Sequence, residues 1–201
     1  WPAVFVSMGS ACGCQRELPF QQLLEAAVSD DVTAAQAALK TSRGLLVRRE
    51  PFEGHTALHV AAAAGGTGVA QLLLRARAGP APADAQMDTP LHLAVDSGGP
   101  KQLGVARQLL QGRAAANAKG AGGRSPLHLA ARGGHGEAVR LLLESGAGPS
   151  ACDGFEDAPL HEAAREGHAE AAQELVAGRA AVNARNKRRQ GALHLAATSS
   201  C

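Results

Sequence analysis

The sequence predicts an all-α fold, a solenoid of stacked helical hairpins, and three observations carry that expectation. First, the two smallest side chains dominate the 201 residues: Ala occurs 44 times and Gly 24, against 12 Val, four Phe, one Trp, and no Ile or Tyr. The β-branched and aromatic stock of half-buried strands is missing, whereas 24 Leu among so many Ala suit helices packed at close range. Second, a heptapeptide with a Leu-His pair returns five times, as Thr56-Ala-Leu-His-Val-Ala-Ala, Thr89-Pro-Leu-His-Leu-Ala-Val, Ser125-Pro-Leu-His-Leu-Ala-Ala, Ala158-Pro-Leu-His-Glu-Ala-Ala and Gly191-Ala-Leu-His-Leu-Ala-Ala. Their starts lie 33, 36, 33 and 33 residues apart. Third, an apolar stripe at helical spacing follows each of the first four: Val69, Leu72, Leu73; Val105, Leu109, Leu110; Val139, Leu141, Leu142; Ala172, Leu175, Val176.

Residues 1–20 share nothing with the repeat and are read as a disordered tail. Residues 21–55 form an atypical N-terminal repeat, with Leu23-Leu-Glu-Ala-Ala27 and then Val32, Ala35, Ala38 and Leu39, but no Thr-Pro start. From residue 56 onward each heptapeptide opens a first helix. Thr or Ser at its first place can accept a backbone N–H, and Pro at the second is preset for the first helical turn. Leu at the third place and the apolar fifth enter the core, and the Ala pair lets helices approach. Gly65, Gly98, Gly134 and Gly167 end the first helices, since Gly tolerates the left-handed cap. The stripe then makes the second helix, and a Gly, Pro or small polar stretch such as Gly146-Ala-Gly-Pro-Ser150 starts the finger.

The period and the heptapeptide resemble the ankyrin repeat, a β-turn followed by two antiparallel helices, over roughly residues 22–201, and the resemblance implies an all-α solenoid with short β-hairpin fingers between repeats. The units are then 56–88, 89–124, 125–157 and 158–190, with an incomplete sixth repeat at 191–201: about five full repeats plus a truncated one. The start at Trp1 implies a chain that begins mid-protein or is translated from upstream of Met8, and the stop at Cys201 after a first helix implies a fragment. Ala158 and Gly191 replace the capping hydroxyl, at a cost of about 1 kcal/mol or a few tenths respectively. The sixth repeat should therefore fray first. Repeat energies add as a chain of nearest neighbours, so melting is expected to be broad or multistep from the C-terminal side; slowest amide exchange around residues 191–200 would contradict this. Three extra residues between Gly98 and Val105 are expected to lengthen the turn between two helices, a feature similar to one repeat of the inhibitors of NF-kappa-B.

The chemistry-bearing residues point away from catalysis. Five His at one phase (His59, His92, His128, His161, His194) are spread one repeat apart along the stack, whereas a metal needs ligands meeting about 2 Å from one ion. The family resemblance implies that they hydrogen-bond to backbone between repeats. His135 and His168 open second helices as turn residues. Cys12-Gly-Cys14 has no second pair or His doublet at zinc spacing, and phosphate-loop, nucleophile-elbow and zinc-protease motifs are absent. Gly120-Ala-Gly-Gly123 precedes a repeat rather than joining a strand to a helix. No catalytic, cofactor or metal residues are expected.

Net charge is +2, with −2 over residues 1–100 and +4 over 101–201, which excludes a strongly basic nucleic-acid or membrane field. Four scattered Cys and the lack of a membrane-length apolar run or a basic leader point to a reduced, cytoplasmic or nuclear setting and a monomer. Arg185-Asn-Lys-Arg-Arg189 is read as a solvated basic fingertip, without the aromatic partners that single strands stack on. Specificity must then use places that stacking leaves free: the finger residues before each heptapeptide and its eighth and ninth places. These are His55 with Glu53, Gln86 and Asp88, Arg124, Arg132, Phe155 and Asp157, Arg165 and Glu166, and Lys187, Arg188 and Gln190. The reading is a non-catalytic module binding a partner protein along the concave finger and first-helix face, a partner acidic toward the Arg-rich end. The alternatives are the substrate-recruiting segment of a larger ubiquitin ligase or kinase, and a transcription regulator like the inhibitors of NF-kappa-B.

Overall fold

The computed structural model describes residues 18–199, so Cys12-Gly-Cys14, Cys201 and the proposed tail before Leu18 lie outside the described residues. Eleven α-helices follow one another there: α1 Leu18–Ser29, α2 Val32–Thr41, α3 Ala57–Ala64, α4 Thr67–Arg75, α5 Pro90–Ser97, α6 Pro100–Gln111, α7 Pro126–Arg132, α8 Gly136–Glu144, α9 Pro159–Glu166, α10 Ala169–Ala177 and α11 Ala192–Ser199. Each of the first helices α1, α3, α5, α7 and α9 packs on its own second helix and on the first helices of adjacent repeats, α11 packs on α9, and second helices pack on second helices. This is the nearest-neighbour arrangement of a solenoid. No described helix is long and apolar enough to cross a membrane.

The core follows the repeat. Leu58, Leu91, Leu127 and Leu160 of the first helices and Leu73, Leu109, Leu142 and Leu175 of the second are all buried, with Ala61, Ala94, Ala130 and Ala163 between them. Leu72, Leu110 and Leu141 lie at the edge of the core, half-buried, and Val176 is exposed. At the start of the stack, α1 begins at Leu18 and buries Phe20, over whose ring the Arg48 guanidinium lies at 5.1 Å. The end of the segment assigned to the tail thus belongs to the first repeat, because an aromatic ring with a core to enter leaves water. Asp31 caps α2 by accepting from the amides of Thr33 and Ala34 (2.9 and 3.0 Å). Asp30 reaches into the next repeat, accepting from Gly68 and Val69 at the start of α4 (3.2 and 2.8 Å).

One further expectation is corrected. The three inserted residues do not lengthen a turn. They extend α6 to 12 residues, against nine in α4, α8 and α10. Pro100 opens that helix immediately after Gly98-Gly99, because proline's fixed φ starts a helix early. The added turn lies back on the preceding repeat: Gln102 donates to the Ala63 carbonyl (3.1 Å), and a Cβ on Gly65 would meet the Lys101 Cβ at 2.7 Å. The feature that suggested an inhibitor of NF-kappa-B is therefore a longer helix.

The β-hairpin fingers are not confirmed, since no strand occurs among the described residues. Each finger is a tight turn closed on itself, and neighbours share few backbone bonds: Ala85 N–H to Glu53 O (2.9 Å), Gly154 N–H to Gly122 O (2.8 Å) and Lys187 N–H to Phe155 O (3.3 Å). At most one such bond per junction, and none between the turns at 84–88 and 120–124, is too few to propagate a ladder, and the fingers lack the β-branched residues that would flatten them into strands.

Candidate functional site

The finger edge is built from a five-residue turn used four times: 84–88, 120–124, 153–157 and 186–190. Its first amide donates to its fifth carbonyl, as Asp84 to Asp88 (2.8 Å), Gly120 to Arg124 (2.7 Å), Asp153 to Asp157 (3.0 Å) and Asn186 to Gln190 (3.0 Å). The first side chain caps the turn from within. Asp84 Oδ1 accepts from Gln86 and Asp88, Asp153 Oδ1 from Phe155 and Asp157, and Asn186 Oδ1 from Arg188 and Gln190, all at 2.8–3.0 Å. Such side-chain caps are why Asp and Asn start turns. Gly120 has no side chain to do this. Asp88 of the preceding finger supplies the carboxylate instead, accepting from Ala121 N–H at 3.1 Å, and a Cβ at Gly120 would come within 1.9 Å of that oxygen.

The last side chains of four fingers, His55, Asp88, Arg124 and Asp157, each reach the next finger. His55, which ends a longer first finger, contacts Asp84 through Nε2 (3.1 Å) and Glu53 through Nδ1 (3.2 Å). Arg124 Nε lies 3.9 Å from Asp153 Oδ2, and Asn186 Nδ2 donates to Asp157 Oδ1 at 2.8 Å. These four side chains are therefore spent on holding fingers in line.

The repeated imidazoles are spent likewise. Nδ1 of His59 accepts from both the amide and the hydroxyl of Thr56 (3.1 and 2.9 Å), and His92 with Thr89 and His128 with Ser125 repeat the pair. An amide can donate but not accept, so Nδ1 carries no proton and the ring is the neutral Nε2–H tautomer. Nε2 then donates to the last carbonyl of the following finger: Asp88 (3.2 Å), Arg124 (3.2 Å) and Asp157 (3.0 Å). His161 keeps both links, to Ala158 N–H and Gln190 O, but Ala158 offers no hydroxyl. Burial is the main cause that lowers His59 to about 4, and it depresses His92 and His128 in the same direction. His135 and His168 are the residues just before α8 and α10, as expected for turn residues.

The thirteen residues named for the partner face divide accordingly, Glu53 being half-buried against His55. His55 and Asp157 are buried, at 4% and 6% exposure, and bind neighbouring fingers. Asp88, Arg124 and Gln190 are half-buried and bonded to neighbours, Asp88 and Arg124 by their side chains and Gln190 by its carbonyl. Arg132 pairs with Asp96 across the first helices (3.1 Å). Arg165 bridges two buried carboxylates, Asp157 (2.7 Å) and Glu162 (3.1 Å). Gln86, Phe155, Glu166, Lys187 and Arg188 are exposed.

Several of these residues meet in one open cleft of about 290 Å³ between the last two complete fingers and α9. Arg124, Phe155 and Asp157 come from one side, Lys187, Arg188 and Gln190 from the other, and Arg165 from the helix. His55, Gln86, Asp88, Arg132 and Glu166 do not line it. Three lining residues were missed by the sequence reading: Glu162, Asn186 and Leu195. Glu162 had a visible signal, for it stands at a heptapeptide place held elsewhere by Val60, Leu93, Leu129 and Leu195. Burial opposes ionisation of Asp157, yet hydrogen bonds from Arg165 and Asn186 outweigh it and hold the carboxyl below its usual range. Arg165 is pulled down by burial and pushed up by Asp157 and Glu162, with a net rise.

Metal-type side chains come together among the described residues at Glu50, Glu53 and His55, within 4.8 Å of one another. The group already serves the first finger: Glu50 accepts from the amides of Phe52 and Glu53, while His55 turns Nε2 to Asp84. A family model described as ankyrin repeats matches the chain in three copies, over residues 23–120, 83–152 and 127–201. No curated protein matches it.

Proposed function

The chain belongs to the ankyrin-repeat family, and from that premise we propose that it is a non-catalytic module that binds a partner protein along the concave face of its fingers and first helices. Repeats of this family are generally protein-interaction modules. The observation that carries the reading here is the division of labour among polar groups. The heptapeptide imidazoles and the fifth-place finger residues are committed to stacking, whereas Phe155 is 62% exposed at a fingertip, beside Lys187 and Arg188. Exposed aromatic and Arg groups are where binding energy concentrates. Nothing in its own repeat requires Phe155 to stand in water.

The test places a photo-crosslinking phenylalanine analogue at position 155, and at Glu144 on the second helix α8 as the comparison. Specific protein adducts from position 155 that exceed those from position 144 several-fold are expected, as a contact centred on the fingers implies. Equal labelling from both positions, or none from 155, would remove the interaction face from this edge.

A further inference from the structure

We propose that the cleft between the fingers at 153–157 and 186–190 binds an extended acidic peptide segment that seats one apolar side chain against Phe155 and Leu195. The inference rests on the interaction reading above and names the chemistry of its ligand. Three features of the cleft carry it.

The first is size. At about 290 Å³ the cleft sits at the lower edge of the roughly 300–1,000 Å³ that small-molecule sites occupy. It is open, and suits one or two side chains of a peptide lying across the fingers. The second is charge. Arg165 is neutralised from beneath by Asp157 and Glu162, and Arg124 faces the buried Asp153 carboxylate. Lys187 and Arg188 are not compensated in this way. Lys187 Nζ donates to the Gly154 carbonyl (2.7 Å), which orients the ammonium without cancelling its charge, and Arg188 commits its backbone N–H, accepted by Asn186. Arg185 and Arg189, both exposed on the same finger, add to the positive rim. A cationic rim over a neutralised floor selects an anionic partner and discriminates against a basic one.

The third is the apolar wall. Phe155 and Leu195 line the same cleft from a fingertip and from α11. A single aromatic offers no series of platforms for successive bases, so the arrangement favours a peptide over a single-stranded nucleic acid. Fixed turn geometry keeps the wall in place, since Asp153 holds the Phe155 amide at 2.8 Å and Asn186 holds the Arg188 amide at 3.0 Å.

The experiment measures fluorescence anisotropy of the full chain with four labelled probes: a Glu/Asp-rich peptide with one central Leu, the same peptide with Ser for Leu, a Lys-rich peptide with the central Leu, and a single-stranded oligonucleotide. The acidic Leu peptide should bind best, weaken as salt rises, and lose about tenfold or more with either Lys187→Glu or Arg188→Glu. Phe155→Ala should erase its advantage over the Ser peptide. Circular dichroism of each variant keeps folding separate from binding. The inference is overturned if the Lys-rich peptide or the oligonucleotide binds as well as the acidic one, if charge reversal leaves acidic binding unchanged in folded protein, or if no probe binds. A basic partner crosslinked from position 155 would sink this inference and leave the interaction face standing.

Discussion

Acidification from neutral pH to about pH 4 should remove about 3 kcal/mol of unfolding free energy through His59 alone, because its folded-state value of about 4 lies below the ordinary 6.5. The folded state holds this imidazole neutral, with Nδ1 accepting from Thr56 and Nε2–H donating to Asp88 O. The unfolded chain takes up the proton near 6.5, so between there and about 4 it binds more protons than the native state. Stability is therefore full above that window and falls as pH drops through it. His92 and His128 shift in the same direction from the same cause, so the slope should exceed that of one site. Asp157 acts later: its carboxyl is held low, and its contribution is lost as pH falls below the ordinary carboxylate range. Urea titrations followed by far-UV circular dichroism across this range give the comparison, and a midpoint that stays flat from pH 7 to about pH 4.5 would contradict it.

The same imidazoles show how much of the fold was legible in advance. A residue type recurring at one phase of a repeat answers to neighbours that also recur, so the Leu-His pair announced a core position and a structural imidazole, and the family resemblance supplied the inter-repeat hydrogen bond. Helix ends were equally legible, because Thr, Pro and Gly act through their own backbone chemistry. The three inserted residues were not. A turn and a helical turn accept the same length, and what decided between them was Pro100 opening a helix whose added turn finds the Ala63 carbonyl and the bare Gly65 surface across the repeat. Contacts between repeats of that kind leave no periodic trace.

The candidate site divides in the same way. That fingers and first helices carry the free positions could be reasoned from the repeat, and Phe155, Lys187 and Arg188 are exposed there. Which fifth-place residues were spent could not, because each depends on a partner about a repeat away: Asp157 on Asn186, Asp88 on the amide of Ala121 after the side-chain-free Gly120. Position fixed the direction of these side chains, and the next finger's first residue fixed their fate.

Arg165→Ala should cost about 2–3 kcal/mol, one of the largest losses available to a single surface-facing substitution. Glu162 is 3% exposed and Asp157 6%, and one guanidinium serves both. Breaking a buried pair by removing one partner costs about 3–5 kcal/mol, because the abandoned charge has no water to turn to. Arg165 itself is 37% exposed, so solvent screens the interaction and the lower figure applies. Asn186 remains on Asp157, which leaves Glu162 as the stranded group. The origin of the loss is separable. Glu162→Leu restores the residue type found at the same place in Leu93, Leu129 and Leu195, and removes the carboxylate that needs a cation. In the Arg165→Ala background it should recover most of the stability, since an apolar group in place of a buried charge is often neutral or stabilising. Chemical denaturation of the two single variants and the double variant completes the cycle. Unchanged stability in Arg165→Ala, or a double variant weaker than Arg165→Ala alone, would show that the guanidinium is not what holds the two carboxylates. A loss confined to Arg165→Ala and repaired by Leu at 162 would make Arg165 part of the scaffold beneath the cleft, so binding deficits in its variants could not be ascribed to a lost partner contact, and the ligand-facing charges would be those of Lys187 and Arg188.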